Sequence, residues 1–323
     1  MADAFQMIET NGIRLRARVE GEGPLVVMVH GFPESWYSWR HQIPVVANAG
    51  YKVAAIDVRG YGGSEKPHEI YDYSMKEITA DIAGIPAAMG YDKAILMGHD
   101  WGAPLVWHTS LYHPDQVSAV AALSVPYTGL GPASTVDMAD KIFTQNNKFF
   151  YQVYFQKEGE AEADLEDDVR TTLRRLYYVW SAQGGKDWPR DKAHGEKLLT
   201  DIPDPDPFPS WMSEAEIDYY VSEFEASGFR GPLNKYRTHK ADYELLKSQT
   251  DHKIYQPALF IGGDKDPVLK MIPGRNVVDI MKPNVPNLMR AVVLDNCGHW
   301  TQQEKPEEVN RLLLEWLDDL KSA

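Results

Sequence analysis

The chain has 323 residues, of which 43% are hydrophobic and 25% are charged, a composition typical of a soluble globular protein with a sizeable core. Its formal net charge of −14 argues against a nucleic-acid partner and against an acidic membrane surface, because both require a basic protein surface. Cys297 is the only cysteine, so no internal disulfide and no CxxC metal or redox motif is possible. With no visible signal peptide or apolar span, we expect a soluble, cytoplasmic protein.

The first half of the chain alternates short apolar runs with helical patterns. Ile13–Val19 alternates apolar and polar residues, which predicts a half-exposed edge strand. Buried strands are predicted at Leu25–Val29, Val53–Ile56, Lys93–Met97 and Val117–Val125. Helices are predicted at 35–49, Met75–Met89 and Trp101–His113. Strands that alternate with helices in this way indicate a mostly parallel sheet with helices on both faces.

The pattern changes near Pro126, and no run typical of a buried strand follows until residue 256. Helices are predicted there at Phe143–Phe155, Val169–Trp180 and Glu214–Ser227, with a proline-rich loop at 201–209. The acidic run Glu158–Asp168 is expected to open the second of these helices and to form a solvated face.

Strand patterns resume at Ala258–Ile261 and Ala291–Leu294, and a last helix is predicted at Glu307–Leu320. We therefore predict an α/β core formed by residues 1–126 and 256–323. Residues 127–255 are predicted to be inserted into it as a helical lid domain.

Reactive groups follow several of the predicted strands, and function collects at the carboxyl ends of strands in open α/β sheets. Gly98-His99-Asp100-Trp101-Gly102 fits a nucleophile elbow with aspartate in place of the usual serine. The alternative is an ordinary aspartate that caps the following helix. We expect His99 to point away from the site and to be structural.

A histidine and an acid follow the last two strands, in the chain order nucleophile, acid, histidine that is typical of α/β-hydrolases. His299 is placed to orient and deprotonate a water molecule, and Asp264 or Asp266 is placed to hold its ring in one tautomer. The turn at His30-Gly31-Phe32-Pro33 lies where half of an oxyanion hole is built. The expected donors are the backbone N–H groups of Phe32 and Trp101.

The chain closely resembles the soluble epoxide hydrolases of the α/β-hydrolase fold over nearly its whole length. The matching motifs lie at residues 30–40, 57–62, 98–102 and 298–302 of the core and at 151–156 and 227–237 of the insertion. By this resemblance Asp266, rather than Asp264, is the acid. It also implies that two lid tyrosines, Tyr151 and Tyr236, hydrogen-bond the epoxide oxygen as acids. Tyr154 is the competitor of Tyr151, since it lies near the same helix face.

The implied reaction is the hydrolysis of alkyl or aryl epoxides to vicinal diols through an ester on Asp100. The substrates are a small-molecule epoxide and water, no metal or organic cofactor is needed, and a role in detoxification is expected. The predicted substrate-binding residues are Phe32, Trp36, Trp101, Tyr151 and Tyr236. The resemblance leaves the choice between a monomer and a homodimer open.

Three other functions are alternatives on this fold, and the residues disfavour each of them. A haloalkane dehalogenase uses the same aspartate, histidine and acid, but that family carries asparagine where Phe32 stands and lacks the paired lid tyrosines. A carboxylesterase needs a serine at position 100. A non-catalytic ligand-binding protein on the same fold is the third alternative. The intact triad and the two tyrosines argue against it, because such a protein does not need them.

Overall fold

In this computed structural model, residues 5–187, 191–270 and 276–322 are described, and their strands form one sheet of eight. The strands are β1 (Phe5–Thr10), β2 (Ile13–Glu20), β3 (Leu25–Val29), β4 (Lys52–Ile56), β5 (Ala94–His99), β6 (Val117–Leu123), β7 (Ala258–Gly263) and β8 (Leu288–Leu294). Their order across the sheet is β1-β2-β4-β3-β5-β6-β7-β8. The first two strand pairs are antiparallel and the remaining pairs are parallel, so the predicted mostly parallel sheet is confirmed.

The central strands are buried on both faces, which explains why they read as continuous apolar runs. Val27 and Val29 of β3 pack into the core on one face of the sheet, and Val26 and Met28 pack into the core on the other.

The prediction that Ile13–Val19 forms an edge strand is wrong. β1 pairs along the outer side of β2, with Met7 opposite Arg16, and β4 pairs along its inner side. β1 was missed because its short apolar–polar alternation sits beside an exposed turn, and its own side chains Phe5 and Met7 are exposed.

Fourteen α-helices lie in the described part of the chain. Before β7 they are α1 (Ile43–Asn48), α2 (Met75–Ala88), α3 (Gly102–Tyr112), α4 (Thr135–Ile142), α5 (Tyr151–Tyr154), α6 (Glu160–Glu166), α7 (Val169–Val179), α8 (Glu214–Ser227), α9 (Arg230–Arg237) and α10 (His239–Lys247). After β7 they are α11 (Pro267–Lys270), α12 (Val277–Met281), α13 (Thr301–Glu304) and α14 (Pro306–Ser322). The predicted helix over 35–49 is divided into a 3₁₀ turn at Trp36–Trp39 and α1, where Pro44 occupies the first turn.

Helices α4 to α10 all lie between β6 and β7, and two predictions in this stretch are wrong. The segment Phe143–Phe155 is not one helix, because Asn147 adopts a left-handed conformation (φ 54°) between a 3₁₀ turn and α5. The acidic run does not open α7 but forms α6, after which Asp168 caps α7 by accepting a hydrogen bond from the amide of Thr171 at 3.0 Å. The run is not wholly solvated either, since Glu162 is buried and pairs with Arg237 at 2.7 Å.

These inserted helices are tied to loops at the carboxyl ends of core strands. The hydroxyl of Tyr177 on α7 donates to the carbonyl of Pro33 at 3.0 Å, and the indole N–H of Trp300 donates to the carbonyl of Tyr177 at 2.8 Å. Arg40 pairs with Glu216 on α8 at 2.5 Å. The insertion therefore covers the edge of the sheet where chemistry is expected. None of the helices within the described ranges has the length and apolarity needed to cross a membrane.

Candidate active site

Asp100 occupies a sharp turn between β5 and α3. Its backbone has a φ of 50°, a left-handed conformation that is strained for a residue with a side chain. A Cβ atom on Gly98 would clash with the carbonyl of Gly102, and one on Gly102 would clash with the carbonyl of Val29. Both flanking glycines are therefore required for this close approach of strand and helix. No side chain caps α3, so the helix-cap alternative for Asp100 is not what the structure has.

The three residues predicted from the strand ends meet at one point. Nε2 of His299 lies 3.1 Å from Oδ2 of Asp100, and Nδ1 lies 3.1 Å from both oxygens of Asp266. Asp266 is fully buried and also accepts a hydrogen bond from the amide of Val268 at 2.8 Å. Asp264 instead pairs with Lys265 at 2.6 Å, so the structure brings Asp266 and not Asp264 to the imidazole.

The electrostatics of the group favour an ion pair at rest. Burial opposes a charge on His299, but the carboxylates of Asp266 and Asp100 outweigh it and hold the pKa of the imidazole well above its ordinary value. Burial likewise opposes a charge on Asp100, but the hydrogen bond and charge of His299 hold the pKa of that carboxyl below its ordinary value. Asp100 is therefore an anionic carboxylate beside an imidazolium.

The amide of Phe32 donates to Oδ1 of Asp100 at 2.7 Å, as expected for one donor of an oxyanion hole. This leaves Oδ1 facing a backbone donor and Oδ2 facing His299. Among the described residues the amide of Trp101 has no acceptor, so this second predicted donor is unused in the resting site. A Cβ atom on Gly31 would clash with the carboxyl of Asp100, which shows how tightly the turn approaches it.

A second buried acid lies behind the triad, and sequence reasoning missed it. Oε2 of Glu34 accepts from the amide of Gly31 at 2.8 Å and lies 2.9 Å from Nδ1 of His99, while Nε2 of His99 lies 2.7 Å from the carbonyl of His299. The amide groups of Gln302 and Gln303 donate to the other oxygen of Glu34 at 3.2 and 3.1 Å. His99 is thus structural, as predicted, and this network joins the turn at Gly31 to the backbone of His299.

Two tyrosines from the insertion face this group. Tyr151 begins α5 and Tyr236 lies on α9, with their ring centroids 6.1 Å apart. The ring of Tyr236 lies 5.2 Å from that of Trp101 and 5.4 Å from that of Phe32. Burial, with the nearby charge of Asp100, raises the pKa of both phenols. They are therefore protonated and available as hydrogen-bond donors at neutral pH.

The competitor Tyr154 is turned away from Tyr151. Its hydroxyl donates to Oδ2 of Asp164 at 3.2 Å, a partner within the insertion. The hydroxyl oxygen of Tyr151 instead accepts from the side-chain amide of Gln152 at 2.8 Å. Because that oxygen already accepts a hydrogen bond, the phenolic proton of Tyr151 is free to be donated elsewhere.

The structure does not bring Trp36 to this site. Its indole N–H donates to the hydroxyl of Tyr219 at 2.7 Å, and its ring packs 5.2 Å from Phe5. Trp36 is close to Phe32 in sequence, but these contacts hold its ring against Phe5 and Tyr219 instead. Trp180 lies in the site and was missed, with its ring 5.8 Å from Tyr151 and 6.1 Å from His299. Nothing in the sequence separates it from the other tryptophans.

Comparison with known proteins agrees with this fold. Residues 24–306 match the family model for the alpha/beta hydrolase fold. The chain is 41% identical to epoxide hydrolase A of Mycobacterium tuberculosis over 99% of both chains, and 39% identical to the bifunctional epoxide hydrolase 2 of Rattus norvegicus over 95% of this chain and 54% of that protein. Among solved structures, an epoxide hydrolase from an endophytic Streptomyces superposes with a TM-score of 0.93 at 42% identity, covering 99% of this chain and 96% of that one.

The family match and the fold define the class first. An eight-stranded, mostly parallel sheet with an Asp–His–Asp group at the carboxyl ends of its strands is the architecture of an α/β-hydrolase. The chain belongs to the α/β-hydrolase fold family and, within it, to the epoxide hydrolases. The predicted fold class and the predicted family are both confirmed.

Proposed function

We propose that this protein converts apolar alkyl or aryl epoxides to vicinal diols through a covalent ester on Asp100. The observation that carries the proposal is the placement of the Asp100 carboxylate, which lies between the amide of Phe32 and the imidazole of His299. Two protonated phenols, those of Tyr151 and Tyr236, lie close enough to that carboxylate for its charge to raise their pKa, which supports their role as acids. Epoxide opening needs an anionic nucleophile and an acid for the departing oxygen, and this arrangement supplies both.

In the first step Oδ2 of Asp100 attacks an epoxide carbon, and the carbon–oxygen bond breaks. Either Tyr151 or Tyr236 gives its proton to the oxygen that leaves. Oδ1 becomes the carbonyl oxygen of the ester while it still accepts from the amide of Phe32. Acid assistance of this kind contributes about 10²–10⁴-fold in rate. The imidazolium of His299 then returns a proton to the phenolate through solvent, which leaves a neutral imidazole.

Formation of the ester also removes one of the two negative charges that hold the proton on His299. Asp266 alone then faces the ring, so the pKa of His299 falls and the ring becomes a base. Water attacks the ester carbonyl of Asp100 and gives its proton to His299. The amides of Phe32 and Trp101 stabilise the oxyanion. Its collapse breaks the bond between the carbonyl carbon and Oδ2 of Asp100, and the new carboxylic acid gives its proton to the departing alkoxide. The diol leaves with an oxygen from Asp100, and the resting carboxylate and imidazolium are restored.

Residues 127–255 act as the lid of this site, over a core of residues 1–126 and 256–323. The rings of Phe155 and Trp180, together with those of the two tyrosines, form walls that favour apolar substrates. Trp36 is left out of the binding site because of its position. The single cysteine excludes an internal disulfide and supports a cytoplasmic location. The proposed enzyme is a monomer or a homodimer, with a role in detoxification.

The experiment is turnover of a panel of terminal, internal and aryl epoxides, with haloalkanes of matched size as the second arm. Diol formation without halide release is expected, and halide release without diol would support the dehalogenase alternative. Saturable binding of the epoxides without any turnover would contradict the enzyme. A single turnover in ¹⁸O-labelled water should place the label in Asp100 and not in the diol. Label in the diol would mean that water attacks the epoxide directly.

A further inference from the structure

One side chain that the proposed mechanism does not use lies against the rings around Asp100. His239 begins α10, and its ring centroid lies 5.3 Å from that of Trp101 and 6.3 Å from that of Tyr236. Asp100, Trp101 and His239 are all partly exposed. His239 therefore extends the site on the side of Trp101 and Tyr236.

One ring nitrogen of this histidine is unpaired among the residues that the structure describes. Nε2 of His239 is shielded from solvent and makes no hydrogen bond within the part of the chain that the structure describes. Its charged neighbours are satisfied, because Lys235 donates to the hydroxyl of Thr238 at 3.0 Å and also pairs with Asp242. Buried polar atoms are nearly always hydrogen-bonded, so a buried nitrogen without a partner beside a reaction centre indicates a place for a ligand atom.

The imidazole is neutral at physiological pH. Burial, with the adjacent ammonium of Lys235, lowers the pKa of His239 to about 4. A neutral imidazole has one N–H donor and one nitrogen acceptor, and a hydroxyl group can pair with either. The rings of Phe32, Phe155 and Trp180 form other walls of the site.

Resting on the proposed function, we propose that His239 is a specificity-determining residue that hydrogen-bonds a hydroxyl group on the substrate. The hydroxyl is carried by the substituent that extends past Trp101 while the epoxide lies between Asp100 and Tyr236. The preferred substrates are then epoxides with a hydroxyl group on an otherwise apolar chain. A site that is built to hydrogen-bond a substrate hydroxyl discriminates against the analogue that lacks it, because its own polar atom is left unpaired.

The experiment compares terminal epoxyalkanes of increasing chain length, each with and without a hydroxyl at the far end. The measured quantity is the ratio of kcat/KM for the hydroxylated to the unsubstituted epoxide. For the wild type this ratio should pass through a maximum at the length that reaches His239. At that length, His239→Phe should lower the ratio about tenfold, as expected for one lost hydrogen bond. His239→Gln, which keeps a donor and an acceptor, should retain most of it.

His41→Phe is the matched control, since it removes another partly buried imidazole outside the site and should leave the ratio unchanged. An unchanged ratio in a folded His239→Phe variant overturns the proposal. If that variant does not fold, a wild-type ratio that is flat or falls steadily with chain length overturns it equally. Failure of the wild type to hydrolyse any epoxide would instead contradict the proposed function, so the two failures are distinguishable.

Discussion

Both carboxylate oxygens of Asp266 lie 3.1 Å from Nδ1 of His299, on the side of the ring opposite Asp100. The acid is fully buried, so its charge acts on the imidazole with little screening by water. It holds Nδ1 protonated and leaves Nε2 as the nitrogen that accepts a proton from water.

We expect Asp266→Asn to slow hydrolysis of the ester much more than its formation. The neutral amide no longer raises the pKa of His299 and can hold the ring in the wrong tautomer, so His299 becomes a weaker base. The rate of ester hydrolysis should therefore fall by about 10²–10⁴-fold. Quenched-flow measurement of ester and diol separates the two steps. Asp264→Asn is the control and should change neither rate markedly. Equal loss in both variants would contradict the assignment of Asp266.

His299→Gln should trap the intermediate. The Asp100 carboxylate remains able to attack, but no base activates water, so the protein should gain the mass of one epoxide and turn over about 10²–10⁴-fold more slowly. Intact-protein mass spectrometry after mixing with epoxide measures this. The double variant Asp100→Ala, His299→Gln should gain no mass. Mass gain in the double variant would show that another residue is the nucleophile.

Replacing both Tyr151 and Tyr236 with phenylalanine should abolish ring opening while the fold is kept. The ring at position 236 still packs against Phe32 and Trp101, and the ring at 151 still packs against Phe155, but neither phenylalanine can give a proton to the departing oxygen. The rate of ester formation, followed by tryptophan fluorescence or by mass, should fall by at least about 10²-fold. Tyr154→Phe is the matched control, because its hydroxyl bonds Asp164 instead. Near-normal ester formation in the double variant would refute the acid assignment.

The ester should accumulate as the pH is lowered. Asp100 has a lowered pKa, so it stays ionised and continues to attack below the ordinary range of a carboxyl. Hydrolysis of the ester needs neutral His299, whose pKa in the ester form is still raised by Asp266, so that step slows as the pH falls through this value. Acid quenching at a series of pH values, with the ester fraction read by mass, tests this. A constant ester fraction across the acidic range would contradict it.

Glu34→Leu should be strongly destabilising. It leaves His99 and the amide of Gly31 buried without their acceptor, and each buried donor left unpaired costs about 1–3 kcal/mol. Glu34→Gln, which keeps one acceptor oxygen, should cost less. The free energy of unfolding in urea measures both. Glu308→Gln changes a partly exposed glutamate whose partner is Lys305 and should alter stability by less than about 1 kcal/mol. Similar stability of Glu34→Leu and wild type would contradict the structural role.

Local patterns were sufficient for most of the fold. The apolar runs at Leu25–Val29 and Ala258–Ile261 predict buried strands because a strand covered on both faces can carry few polar residues. Local patterns failed where a segment that they do not include packs against the predicted element. Ile13–Val19 alternates like an edge strand, yet β1 covers its outer side.

The sequence by itself determined the glycine-flanked turn at Asp100, the histidine after the last strand and, through the family resemblance, the two lid tyrosines. These follow from short motifs whose residues are close along the chain. The tertiary structure brings Asp266, the acid that the resemblance implied, to His299. Only the tertiary structure decided that Trp36 lies outside the site and that Glu34 and Trp180 lie against it. The physical reason is that a local pattern fixes backbone geometry, whereas the direction of each side chain depends on packing between segments far apart in the chain.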